Sequence, residues 1–137
     1  VKVKRFEDLE CWQEARQLRA MISKIFGNHR DRRDVILRNQ IKSAALSIMA
    51  NIAEGFESGT SRENVVFLTY ARRSCGEVRS HLYAALDDNF IKDSDFERIY
   101  EQSVRTGKLI TSFINYLRKF DSNKSLTSRR LYSKGES

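Results

Sequence analysis

Asn51, Glu54 and Glu77 are polar residues set in or beside otherwise apolar helical lanes. Carboxylates held partly out of water are the groups that do general acid–base chemistry, because burial moves their pKa values toward neutrality. Glu77 and His81 stand four apart, close enough on a helix to share a cation. Two ligands do not make a metal site, and a hydrogen bond on the helix surface is the plainer reading. Cys11 and Cys75 have no CxxC spacing and no His pair nearby, so they read as reduced, packed thiols. Nowhere does the chain set a nucleophile beside a base, a glycine-rich phosphate loop or a metal-ligating cluster. The expectation is a protein that is not an enzyme, with no cofactor and no metal. Asn51, Glu54 and Glu77 are then expected to form a partly buried structural network that fixes helix register or a subunit contact.

The remaining candidate chemistry is electrostatic. The formal net charge is +7, and residues 118–137 alone contribute +4, leaving +3 for the rest. A basic balance points to a polyanionic partner, RNA or DNA. Arg30, Arg32 and Arg33 form one cluster, with Arg38 and Lys42 following and Asp31 and Asp34 interrupting. It reads either as a phosphate-contacting corner or as a solvated helix start with local ion pairs. Arg72, Arg73 and Arg79 make a second patch, and Arg129 and Arg130 a third in the tail. The nucleic-acid-binding residues expected are Arg30, Arg32, Arg33, Arg72, Arg73, Arg129 and Arg130. The chain has no helix-turn-helix spacing, zinc knuckle or aromatic RNA-binding motif, so binding would be to phosphates and largely indifferent to sequence. The aromatic residues mostly fall on apolar seams and read as core, not as base-stacking platforms. The competing class is a protein–protein interaction scaffold whose basic residues only keep it soluble.

The elements that position these residues are helices. Proline is absent from all 137 residues, which favours long helices over a turn-rich sheet. Helix one is expected from near Glu7 or Asp8, with Phe6 as a hydrophobic staple, and stops at Gly27. Helix two is expected from Asp31 as N-cap to about Glu57. Thr60 to Glu63 reads TSRE and Ser94 to Glu97 reads SDFE, two capping boxes that open helices three and four. Helix three carries a seam at Phe67, Ala71, Ser74, Val78, Leu82 and Ala85, and helix four one at Phe96, Ile99, Tyr100, Ser103, Gly107, Ile110, Ile114 and Leu117. Gly107 reads as a close helix contact. The fold class expected is all-α, an antiparallel up-down-up-down four-helix bundle over residues 7–120, followed by a basic, disordered tail at 121–137.

The organising stretch is residues 40–59, of which 43–53, SAALSIMANIA, carries no charge. Ile41, Ala44, Ala45, Ile48, Ile52 and Phe56 share one helical face, and Leu46, Ala50 and Ala53 a neighbouring arc. Such a helix is expected to be buried nearly all round, more than three neighbours in its own bundle can achieve. A homo-oligomer with Leu46, Ala50 and Ala53 at the interface follows. The uncharged run is too short to span a bilayer, and residues 1–10 are too charged for a signal sequence, so the expected location is cytoplasmic.

Three segments carry a family resemblance: FEDLECWQEA at 6–15, QIKSAALSIMANIAEG at 40–55 and FLTYARRSCGEV at 67–78. They lie in order across three helices, and the resemblance extends over most of 6–120. The chain resembles the bacterial four-helix-bundle family labelled S23 ribosomal or 23S rRNA intervening-sequence proteins. It is also similar to the accessory proteins of diversity-generating retroelements, which form pentameric barrels and associate with a reverse transcriptase and nucleic acid. The resemblance implies a ring of five subunits and a reverse transcriptase or other protein as partner. The chain departs from the family pattern at Arg73, where a Gly is usual, and at NHRDRRD between helices one and two, where a Pro is common.

Overall fold

The structure is a computed structural model that describes residues 3–27 and 34–134, with side chains described as far as residue 122. A short 3-10 turn, Phe6–Asp8, leads into α1, Glu10–Phe26; α2 is Val35–Glu57, α3 Ser61–Asp87 and α4 Asp93–Lys134. Among the described residues there are no strands. α1 packs on α2 and α4, and α3 packs on the same two, so the four helices close a bundle with α1 opposite α3 and α2 opposite α4.

The core is built from the predicted stripes. Leu18 and Ile22 of α1, Ile41, Ile48 and Ile52 of α2, Val78 and Leu82 of α3, and Ile99, Ile110 and Ile114 of α4 are fully buried. Spacings of three and four put each set on one face, and burying each such side chain contributes roughly 1.5–3 kcal/mol. Leu68, outside the predicted seam, is buried, whereas Phe67 is half-buried and packs edge-on to Tyr70 with ring centroids 6.2 Å apart. Ala15, Ala44, Ala45 and Ala71 keep the helices close.

The helix ends follow local chemistry, with three shifts from expectation. The α-helical part of helix one begins at Glu10; Phe6 opens the preceding turn and meets Trp12 edge-on, ring centroids 5.2 Å apart. Helix two begins at Val35 behind Asp34, which takes a left-handed φ of 54°; the expected cap, Asp31, lies outside the described residues. Helix four begins at Asp93, so Ser94 is already helical and does not cap it. The N-cap half of the TSRE box forms: Thr60 Oγ1 accepts from the Glu63 amide at 3.2 Å. α3 ends in a Schellman motif with Asn89 at φ 60°; the amides of Asn89 and Phe90 donate to Leu86 O (3.1 Å) and Ala85 O (2.8 Å).

The expected end of helix four near Phe120 is also corrected. α4 continues as helix to Lys134, through part of the segment read as a disordered tail. Once a helix is formed, each added residue costs only propagation, and residues 121–134 contain neither Pro nor Gly to stop it.

Candidate nucleic-acid interface

α3 carries Arg72 and Arg79 along one lane with Gly76 between them, and α4 brings Lys108 against that lane. The two helices enclose a groove of about 670 Å³ lined by these three cations with Tyr100, Thr111 and Ser112, over a floor of Cys75, Val104 and Gly107. Small floor residues leave the groove open, because no side chain rises from Gly107 to fill it. Arg79 is half-buried and donates from Nη1 to Ser103 Oγ at 3.2 Å. Ser103, fully buried, donates in turn to the Cys75 carbonyl oxygen at 3.0 Å. Arg72, Arg73 and Lys108 are exposed, and Arg73 lies over the Tyr70 ring, 6.0 Å from its centroid.

No carboxylate lines this groove, and none of Arg72, Arg79 and Lys108 makes an ion pair among the described residues. On the other flank of α4 the cation is compensated by carboxylates. Arg105 reaches Glu14 at 3.3 Å and Glu10 at 3.6 Å, and Gln102 Nε2 donates to Glu14 Oε2 at 2.6 Å. Among the described side chains, α4 thus has a compensated flank toward α1 and an uncompensated one toward α3.

Of the predicted binding residues, the structure places Arg72 and Arg73 side by side on α3. Arg30, Arg32 and Arg33 lie outside the described residues, and Arg129 and Arg130 lie on the far part of α4, where side chains are not described. The sequence does not mark Lys108 or Tyr100 as binding residues. Tyr100 is expected on the α4 seam as core, and Lys108 stands on a lane at 104, 108, 111 that has no meaning until α3 is set against it.

The expected polar network forms only around Asn51. Its Nδ2 donates to Ser47 O at 2.9 Å and Ser47 Oγ at 3.0 Å, and Ser74 Oγ of α3 donates to Ser47 Oγ at 3.1 Å. Glu54 and Glu77 are exposed and stand apart from it, which spares two carboxylates the cost of burial. Glu77 and His81 do not bond; His81 Nε2 is buried without a hydrogen-bond partner. Among the described residues no three His, Cys, Asp or Glu side chains converge as metal ligands. Burial pushes the Cys75 thiol up to about 12, against the nearby Arg79 charge, and the Cys11 thiol up to about 11. The two thiols sit on opposite helices with no Cα pair between α1 and α3 within 8 Å, too far for a disulfide.

Leu46 is 52% exposed, Ala50 exposed and Ala53 half-buried, so within one chain α2 is covered by α1 and α3 but not on its outer side. Among the described residues no helix is long and apolar enough to cross a membrane.

No curated protein matches the chain. Among solved structures, a protein of unknown function from the S23 ribosomal protein family of Bacteroides thetaiotaomicron VPI-5482 superposes with a TM-score of 0.71 at 20% identity, over 76% of this chain and 97% of that one. At that identity the likeness is one of fold. A family model described as the 23S rRNA-intervening sequence protein matches residues 7–112, which take in α1, α2, α3 and the part of α4 that lines the groove. By that match the chain belongs to the 23S rRNA-intervening sequence protein family.

Proposed function

We propose that this chain is a non-enzymatic, homo-oligomeric accessory protein of the cytoplasm that binds RNA or DNA through Lys and Arg with little regard to sequence. The observation that carries the reading is the uncompensated charge of Arg72, Arg73, Arg79 and Lys108 on one side of the bundle, while Arg105 on the other side is neutralised by Glu10 and Glu14. Cations left without carboxylates hold phosphates and release counterions when they do so. The helices run antiparallel, up-down-up-down; Gly55 beside Asn64 and Ser47 beside Ser74 are the order that two such neighbours give. Subunits meet through the outer side of α2, with Leu46, Ala50 and Ala53 in the contact. The family resemblance supports five subunits in a ring, which would gather five charges of +7 each. Its protein partner in this reading is a reverse transcriptase or another protein that handles nucleic acid.

The test is fluorescence anisotropy with unrelated RNA and DNA oligomers across a salt series. Affinity should fall by orders of magnitude as salt rises if about six phosphates are contacted. Absence of binding at low salt refutes the reading. The scaffold alternative is favoured by one observation, the exposed Leu46 and Ala50 on the outer side of α2, and takes its place if nucleic acid fails to bind while the chain still assembles.

A further inference from the structure

We propose that the groove between α3 and α4 binds single-stranded nucleic acid, holding phosphates on Arg72, Arg79 and Lys108 and one unstacked base on the exposed ring of Tyr83. This rests on the nucleic-acid reading above and adds to it the form of the strand and the place where it lies.

Arg79 is the anchor. A guanidinium has five N–H donors, and the one hydrogen bond described for Arg79 goes to a neutral hydroxyl, Ser103. A half-buried cation without a carboxylate is poorly compensated, and a phosphate oxygen completes it with charge-assisted hydrogen bonds. Arg72, Arg79 and Tyr83 are spaced seven and four apart on α3, so they share a lane. Helix rise sets the two arginines about 10 Å apart and Tyr83 about 6 Å beyond Arg79. Lys108 faces the same groove from α4.

The groove ends at an aromatic cluster. Tyr83 is 50% exposed. Its ring stands 5.0 Å from Phe96 at 60° and 5.8 Å from Tyr100 at 76°, and Phe96 and Tyr100 stack at 5.5 Å. Tyr100 also lines the groove, so the ring cluster and the cations form one continuous surface. Two neighbours brace Tyr83, which limits the ordering cost of stacking on it. The aromatic residues are expected mostly on apolar seams; Tyr83, half exposed, is one that does not lie in the core. A positively charged groove that leads to an exposed ring is the combination that single strands use, because their bases are free to stack. A duplex keeps its bases paired and can use only the cations. α2 lies diagonally across the bundle from α4, so the outer side of α2 and this groove are different faces of one chain.

The experiment is fluorescence anisotropy on the full chain with a labelled mixed-sequence oligomer, as RNA and DNA single strands and as the matching duplexes. Wild-type protein should bind the single strands more tightly. Tyr83→Ala should weaken single-strand binding about tenfold and leave duplex binding unchanged, while Tyr83→Phe binds as the wild type does. Combining Arg72→Gln, Arg79→Gln and Lys108→Gln should lower the salt slope for single strands by about 2. Tyr116→Ala, which removes an exposed ring farther along α4, should have no effect, and far-UV circular dichroism checks that each variant is folded. Salt-sensitive binding that ignores Tyr83→Ala, or duplexes bound as tightly as single strands, overturns the groove proposal and leaves the broader reading standing. Displacement of the strand by poly-glutamate at equal charge also overturns it, since the groove is then a contact for acidic protein. No binding to any oligomer overturns both.

Discussion

A Cβ placed on Gly55 of α2 would stand 2.6 Å from Asn64 Oδ1 of α3, 3.0 Å from Phe67 Cβ and 3.1 Å from the Asn64 carbonyl oxygen. Only the absence of a side chain lets the two helices meet this closely beside their connecting turn. Gly55→Ala gains about 1 kcal/mol of helix propensity but forces α2 and α3 apart, at a cost of about 1–3 kcal/mol. A net loss of about 1 kcal/mol is expected in urea unfolding. Gly107 is the contrast, because a Cβ there would meet only Cys75 Cβ at 4.0 Å, an ordinary contact. The close helix contact expected at Gly107 is not required, and Gly107→Ala should stabilise the protein by up to about 1 kcal/mol.

The two capping boxes should also separate. Thr60→Ala removes the acceptor for the Glu63 amide and should cost about 1 kcal/mol. Ser94→Ala, inside the first turn of α4, should change stability by less than about 0.5 kcal/mol. Thermal unfolding of both variants is the check.

Burial raises both thiols, Cys11 to about 11 and Cys75 to about 12. Neither should react with a thiol reagent near neutral pH until the chain is unfolded. The sign of the pH effect follows: above the ordinary thiol pKa the unfolded chain binds fewer protons than the folded one. The stability contribution is complete below about pH 8.5, the unfolded thiol value, and is lost as pH rises through the folded values. Urea midpoints across that range for wild type and a Cys75→Ala, Cys11→Ala pair test it, and equal alkaline losses in both would remove the thiols as the cause.

A charge at the outer side of α2 should break assembly. Ala50→Asp is expected to shift light scattering toward the monomer at low micromolar concentration, and Glu57→Lys to do so much less. A monomer in the wild type would end the oligomer proposal.

Removing residues 122–137 takes away four cations (Lys124, Arg129, Arg130 and Lys134) and leaves the core of α4 at Ile99, Ile110 and Ile114 in place. Nucleic-acid binding should weaken and its salt slope flatten, with the thermal midpoint of the bundle nearly unchanged.

The helices and their buried faces are legible along the chain. Ile41, Ile48 and Ile52, and Val78 and Leu82, are separated by three-and-four spacings that have one physical outcome, a stripe removed from water. The TSRE cap is legible too, because Thr60 and Glu63 act within one turn. Which polar and charged groups meet is set by how the helices pack. Asn51 bonds Ser47 and, through it, Ser74 on another helix, while Glu54 and Glu77 stay in solvent; helical periodicity says that a residue is off the core but not what faces it. The neutralisation of Arg105 by Glu10 and Glu14 spans most of the chain in sequence, and nothing local marks its absence at Arg79 and Lys108. Charge compensation depends on distances between helices, and those are fixed by packing, not by the order of residues along any one of them.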